Sequence, residues 1–328
     1  MASLKDILYR YRVLLLRILM GFLLLWFLFR SGANIRDTLN EMLRVSPWML
    51  LGAFFAKVLS EVFTSYKWYY LMRKAGLFVR FIRVLYVFMT GLFYGLFLPG
   101  IVGGDIARVV MLAEESGGKS RSLASTFMQR NTGVAGLLLV ADIALICNPI
   151  HLDLFKGNLF PFNDLRVWFL LMSFAYIIIN VLLLTRFLIR IMVRMMRRLG
   201  NFGNKVSAQV SRMHEALLMF RNSIVASVMM SILTQMLEGA FCWFLAHALG
   251  LDIGFWWCCV LMSVTTLMAL LPVSFNGLGL REVAYVALLM PYGCDKSTAI
   301  ALGLLQFGII VLVALCCGLW HSIKPVSD

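Results

Sequence analysis

Charge is scarce in this 328-residue chain: only 14% of its residues are Asp, Glu, Lys or Arg, where a soluble domain carries about a quarter. No polar stretch is long enough to build a separate soluble core. Spacings that carry common enzyme chemistry are also missing. His151, His214, His247 and His321 are scattered and make no metal-ligand pattern. The cysteines include the neighbours Cys258-Cys259 and Cys316-Cys317 inside apolar runs, which reads as small apolar packing and not as a disulfide framework. Gly117-Gly118-Lys119-Ser120 lacks the first glycine that a phosphate loop needs at the correct distance. No Ser-His-Asp arrangement or dinucleotide fingerprint is present. The expectation is therefore a protein that is not an enzyme, with no metal and no cofactor.

Hydrophobic residues are abundant instead, at 61%, and the mean hydropathy is +0.87. Apolar runs of about 20 residues recur along the chain, the length needed to cross a bilayer as a helix. The fold class that follows is an all-α integral membrane protein, a polytopic helical bundle forming a single transmembrane domain over 1–328. The net charge is +14. It is gathered in short segments beside apolar runs, the pattern of cytoplasmic loops that meet anionic headgroups. The expected partners are thus anionic membrane lipids and no nucleic acid. A homo-oligomer or an envelope-synthesis partner is left open.

Lysine and arginine placement predicts orientation. Lys5, Arg10, Arg12 and Arg17 precede or open a first retained helix over 13–29, so the N-terminus is expected in the cytoplasm of an inner-membrane protein. A second run, 48–66, leads to a basic loop with Lys67, Arg73, Lys74, Arg80 and Arg83. Run 123–146 ends at an external loop, 147–164, and run 165–184 returns to the most basic segment, 186–221. There Arg186, Arg190, Arg194 and Arg198 recur every four residues, either as one stripe of an interfacial helix or as ordinary topogenic charge. Parity then constrains what lies between. Residues 84–113 leave and return on the cytoplasmic side, and 255–290 leave and return on the outer side if the C-terminus is cytoplasmic. Two opposed broken or re-entrant hairpins satisfy this, one in a first half of about 1–185 and one in a second half, 222–328.

Pro99 aligned on Pro272 puts Leu98 on Leu271, Gly104 on Gly277 and Arg108 on Arg281. Both copies interrupt apolar runs, as in inverted repeats whose broken helices face a midplane site. Interrupted helices leave backbone groups that must line a cavity or bind a ligand. Their N-termini suit a phosphate, glycine lets it approach the backbone, and arginine supplies bidentate donors. The expected headgroup site is Arg108 and Arg281, supported by Arg130, with Gly103, Gly104, Asp105, Gly277, Gly279 and Glu282 around them. Asp105 and Glu282 are the candidate carboxylate partners of the two arginines. Lys57 and Glu61, four residues apart, are expected to pair structurally. Asp142 and Glu238 are candidates for proton coupling, with helix–helix hydrogen bonding as the equal alternative.

The segment Phe97-Leu98-Pro99-Gly100-Ile101-Val102-Gly103-Gly104-Asp105-Ile106-Ala107-Arg108 resembles a known signature. So do Arg121 to Arg130-Asn131-Thr132-Gly133 and Pro272 through Gly277-Leu278-Gly279-Leu280-Arg281-Glu282. In this order they look like the flippase-like family of the lysylphosphatidylglycerol synthase transmembrane region. The resemblance implies movement of lipids between leaflets, with cargoes that include aminoacylated phosphatidylglycerol, other glycerophospholipids, hopanoids and polyprenyl-linked sugars. Bifunctional members carry a C-terminal synthase domain, which is not expected here. The alternative is a non-catalytic accessory subunit of a cell-envelope lipid or glycan synthesis system.

Overall fold

The computed structural model describes residues 18–97, 102–113, 115, 118–147, 164–184, 193–195, 206–207, 211–212, 214–270, 274 and 277–323. The Leu-Pro tips of both hairpins and more than half of the basic segment 186–221 lie outside these. Among the described residues the chain is helical. Helix α1 spans Ile18–Arg30, α2 Ile35–Leu43, α3 Pro47–Lys74, α4 Phe81–Phe97, α5 Val102–Leu112, α6 Lys119–Cys147 and α7 Leu165–Leu184. Then come α8 (Ile224–Ala248), α9 (Phe255–Leu270), α10 (Leu280–Leu289) and α11 (Lys296–Ile323). Helices α3, α6 and α11, with 18 residues of α7 and the stretch His214–Ala248 that contains α8, are long and apolar enough to cross a membrane. The protein is an all-α, multi-pass membrane protein. Large apolar side chains point outward, as Phe174, Ile177 and Val181 do on α7, which suits hydrocarbon as the surrounding solvent.

Helix α2 lies between the first two apolar runs, 13–29 and 48–66. Asn34 caps it, its Oδ1 accepting from the Arg36 N–H at 3.0 Å. The axis turns 100° from α1, so α2 lies across the bundle end. Ile35, Leu39 and Leu43 form one exposed apolar stripe, and Thr38 is buried on the other face against α11.

The longest packing interface joins α3 and α8. Gly52 meets Phe244 and Lys57 meets Glu238, while farther along Lys67 meets Ser231, so the two helices run antiparallel. Facing positions are polar: Lys57, Ser60 and Lys67 on α3, all buried, against buried Thr234 and Ser231 and part-buried Glu238 on α8. The Ser46 N–H reaches the Ala248 carbonyl at 3.4 Å, closing one end of this pair.

Each half carries a helical hairpin. In the first, Gly91 lies against Arg108 and Gly95 against Gly104, which is antiparallel pairing of α4 with α5. In the second, Tyr285 meets Met262 and Gly277 meets Ala269, pairing α10 with α9 in the same sense. The first hairpin opens where α3 ends and the second opens where α8 ends, so the two enter from opposite ends of the α3–α8 pair. At 17 and 11 residues α4 and α5 are about 25 and 16 Å long. Helices α9 and α10, with 16 and 10 residues, are about 24 and 15 Å long. A single arm of either hairpin is therefore shorter than the bilayer core of about 30 Å. Packing is matched as well, since α4 lies on α11 and α9 lies on α6.

Candidate functional site

Helix α5 sits close on α4 because glycine faces glycine. A Cβ on Gly104 would strike the Gly91 carbonyl, and a Cβ on Gly91 would come within 2.6 Å of Arg108 Cγ. The absent side chains leave the room that the Arg108 stem occupies. Its guanidinium stacks over the Phe88 ring, 3.9 Å from the centroid. Nη1 donates to Asp105 Oδ1 at 3.3 Å, and Arg130 of α6 donates to Asp105 Oδ2. Asp105 thus sits in the first turn of α5 between two arginines from different helices. Arg108 Nε has no hydrogen-bond partner among the described residues, although Arg108 is only 6% exposed. Gly104, Asp105, Arg108 and Arg130 line a cavity of about 150 Å³, with Lys57 and Glu61 completing its polar wall.

A second cavity of about 210 Å³ lies across α3. Arg281, Glu238, Gln235, Gln306 and Ser60 line it. Arg281 is 5% exposed and its guanidinium carbon stands 5.9 Å from the Phe307 ring centroid. Glu238 Oε1 accepts from Lys57 Nζ at 2.6 Å and from Ser60 Oγ at 2.7 Å. Lys57 also pairs with Glu61 at 2.8 Å. The i, i+4 pair expected from sequence is present, but it is one side of a three-residue bridge. Lys57 lines both cavities.

Of the other sequence candidates, Glu282 turns away from the second cavity. Its Oε2 accepts from the Gly279 N–H at 2.6 Å, capping α10, and its stem packs on Gly303. Gly277 and Gly279 adopt φ of +79° and +85°, which glycine tolerates and other residues resist. They shape the turn into α10, and α1 seats against Gly279 through Leu24 and the Gly21 carbonyl. Gly103 is buried beside the first site without lining it. Asp142 lines neither cavity; its Oδ2 accepts from Ser173 Oγ at 2.6 Å and joins α6 to α7.

Lys67 corrects the sequence expectation. It belongs to α3, is 2% exposed, and donates to the Gln129 carbonyl at 3.0 Å and to Ser231 Oγ at 2.9 Å. The basic loop was placed too early because a lone lysine at the end of an apolar run looks topogenic. Here its stem lies within a three-helix seam and its ammonium finds neutral acceptors. Truncation to Lys67→Ala removes both hydrogen bonds and opens a void. A loss of about 2–4 kcal/mol is expected, seen as a lower melting temperature in detergent. An unchanged melting temperature would show that this seam contributes little.

The model for the lysylphosphatidylglycerol synthase TM region matches residues 14–318. The chain belongs to this family. Among its relatives, the UPF0104 membrane protein PH1989 of Pyrococcus horikoshii is 23% identical over 315 residues, covering 90% of this chain and 91% of that one. The family match spans both hairpins and both cavities.

Proposed function

We propose that this protein is a lipid translocase that moves an anionic phospholipid or a polyprenyl-phosphate-type lipid between leaflets. One observation carries the reading: two adjacent polar cavities, each walled by buried arginine, lie where two short hairpins from opposite ends of the bundle meet the α3–α8 pair. Buried cations in a bilayer are costly and mark a substrate route. Arg108 and Arg130 in one cavity, and Arg281 in the other, would neutralise the headgroup phosphate while the tails stay in lipid. The matched helix lengths and the matched packing of α4 on α11 and α9 on α6 support an inverted repeat, the architecture that gives alternating access by rocking one half on the other. Both halves then form a single transmembrane domain. Arg73, Lys74, Arg80 and Arg83 at the end where α3 stops favour that end as cytoplasmic, with both termini on the same side in the inner membrane. The chemistry asked of the protein is binding and release, with no covalent step. Glu238, hydrogen-bonded inside the second cavity, is the better candidate for coupling; Asp142 acts as a helix–helix bond.

The test is scrambling of fluorescent phospholipids, with polyprenyl phosphate alongside, in liposomes holding the purified protein. Transport by the wild type supports the reading. Folded protein that moves no lipid class would favour an accessory subunit of an envelope-synthesis system.

A further inference from the structure

The two cavities share one ammonium, and the charge of each depends on it. Counted over the described residues, Arg108 and Arg130 in the first cavity are balanced by Asp105 and Glu61. Arg281 in the second is balanced by Glu238. Lys57 alone gives either cavity an excess of positive charge, and it lines both. Its Nζ is held between the two carboxylates, 2.8 Å from Glu61 and 2.6 Å from Glu238. Each of those carboxylates lines one cavity only.

We infer that Lys57 makes the cavity pair a relay for one singly charged phosphodiester at a time, and that this charge match selects the cargo. The inference rests on the translocase reading of the same site and narrows it. A phosphodiester entering the first cavity finds the Arg108 fork and one surplus positive charge. Lys57 can lean toward it while Glu61 still shares the ammonium. The second cavity is then neutral and cannot hold a second anion. Passage to the second cavity needs only that the shared ammonium give its charge to that side, since Lys57 Nζ already lies 2.6 Å from Glu238 and lines both cavities. A phosphate monoester or diphosphate with two charges leaves one of them buried and uncompensated, which costs several kcal/mol in a low-dielectric site. A glycerophospholipid with one diester phosphate fits; a polyprenyl diphosphate does not. Glu61 and Glu238 are then specificity residues: each subtracts one charge from its cavity.

Calorimetric titration of the purified protein tests this, with dihexanoyl phosphatidylglycerol as the single charge and dihexanoyl phosphatidic acid at pH 8.5 as the double one, its second proton leaving near pH 6 like that of other phosphate monoesters. The wild type should bind one phosphatidylglycerol per chain and prefer it to phosphatidic acid. Glu61→Gln adds one positive charge to the first cavity and leaves Lys57 paired with Glu238. It should shift the preference toward phosphatidic acid by about tenfold, the size of one charge-assisted hydrogen bond. Glu238→Gln should do the same through the second cavity, and serves if the first variant does not fold. Two phosphatidylglycerol molecules per wild-type chain, or preferences unmoved by both substitutions, would overturn the relay. If neither variant folds, wild-type stoichiometry and preference decide alone. Correct selectivity without lipid movement in liposomes would retain the charge match and reject the translocase.

Discussion

Arg108→Ala is expected to lower lipid translocation at least tenfold while the protein still purifies as a folded species. Arg108 supplies the best phosphate fork in the first cavity, and losing a charged hydrogen bond there costs about 1.5–3 kcal/mol of headgroup binding. Folding should tolerate the change because Asp105 keeps Arg130 as its partner. The stability lost is the stacking on Phe88, up to about 2 kcal/mol for a desolvated cation on a ring. Asp105→Ala should behave in the opposite way. It leaves Arg108 and Arg130 without the carboxylate they share, and removing one partner of a buried pair costs about 3–5 kcal/mol. Little folded protein is expected from it. Scrambling rates normalised to folded protein, from size-exclusion profiles, separate the two. Full transport by Arg108→Ala would remove this arginine from the headgroup route, and aggregation of that variant would make it a structural ion-pair member instead. Arg281→Ala, in the second cavity, should follow Arg108→Ala.

Gly104→Val should unseat the first hairpin. Its Cβ would overlap the Gly91 carbonyl, a backbone atom that cannot swing aside. Overpacking of this kind costs about 1–3 kcal/mol, and more where backbone must shift. The damage extends beyond stability, because α5 carries Asp105 and Arg108 and any splaying of α4 from α5 moves both. Gly95→Ala is the matched control. A Cβ there comes no closer than 3.8 Å to Gly104, so it should be accepted. Melting curves in detergent decide: Gly104→Val several degrees below Gly95→Ala supports this packing, and equal curves contradict it.

Much of this was legible in the residues themselves. Long apolar runs gave α6 and α7 to within a few residues, since a lipid-facing helix needs apolar side chains all round and leaves no competing pattern. Breaks at Pro99 and Pro272 marked the two hairpins, because proline and glycine interrupt helices for local reasons. Arg108 and Arg281 stood out because charge in an apolar run is expensive. What sequence could not supply is which helices face each other. Glu238 meets Lys57 across 181 residues of chain, and nothing local connects them. Gly91 and Gly95 did carry a signal, the spacing of four that lets helices approach closely, but it was masked by the more prominent glycines at 103 and 104. Helix α2 was hidden by its mixed charge, although Asn34 before Ile35 was a readable cap.

The shortness of the hairpin arms bears on how the chain enters the membrane. An isolated helix partitions from the translocon into lipid on its own hydrophobicity, and a central arginine costs about 2.5–3.5 kcal/mol in that step. Helices α5 and α10 are brief, and each carries an arginine, Arg108 midway along α5 and Arg281 in the first turn of α10, so neither has the means to insert alone. Their lodging must come from the long helices they pack on, α6 for α5 and α11 for α10, already standing in the bilayer. Biogenesis is thereby ordered: the walls first, then the hairpins, with Arg108 entering the interior together with Asp105 of its own helix, against the glycine face of α4.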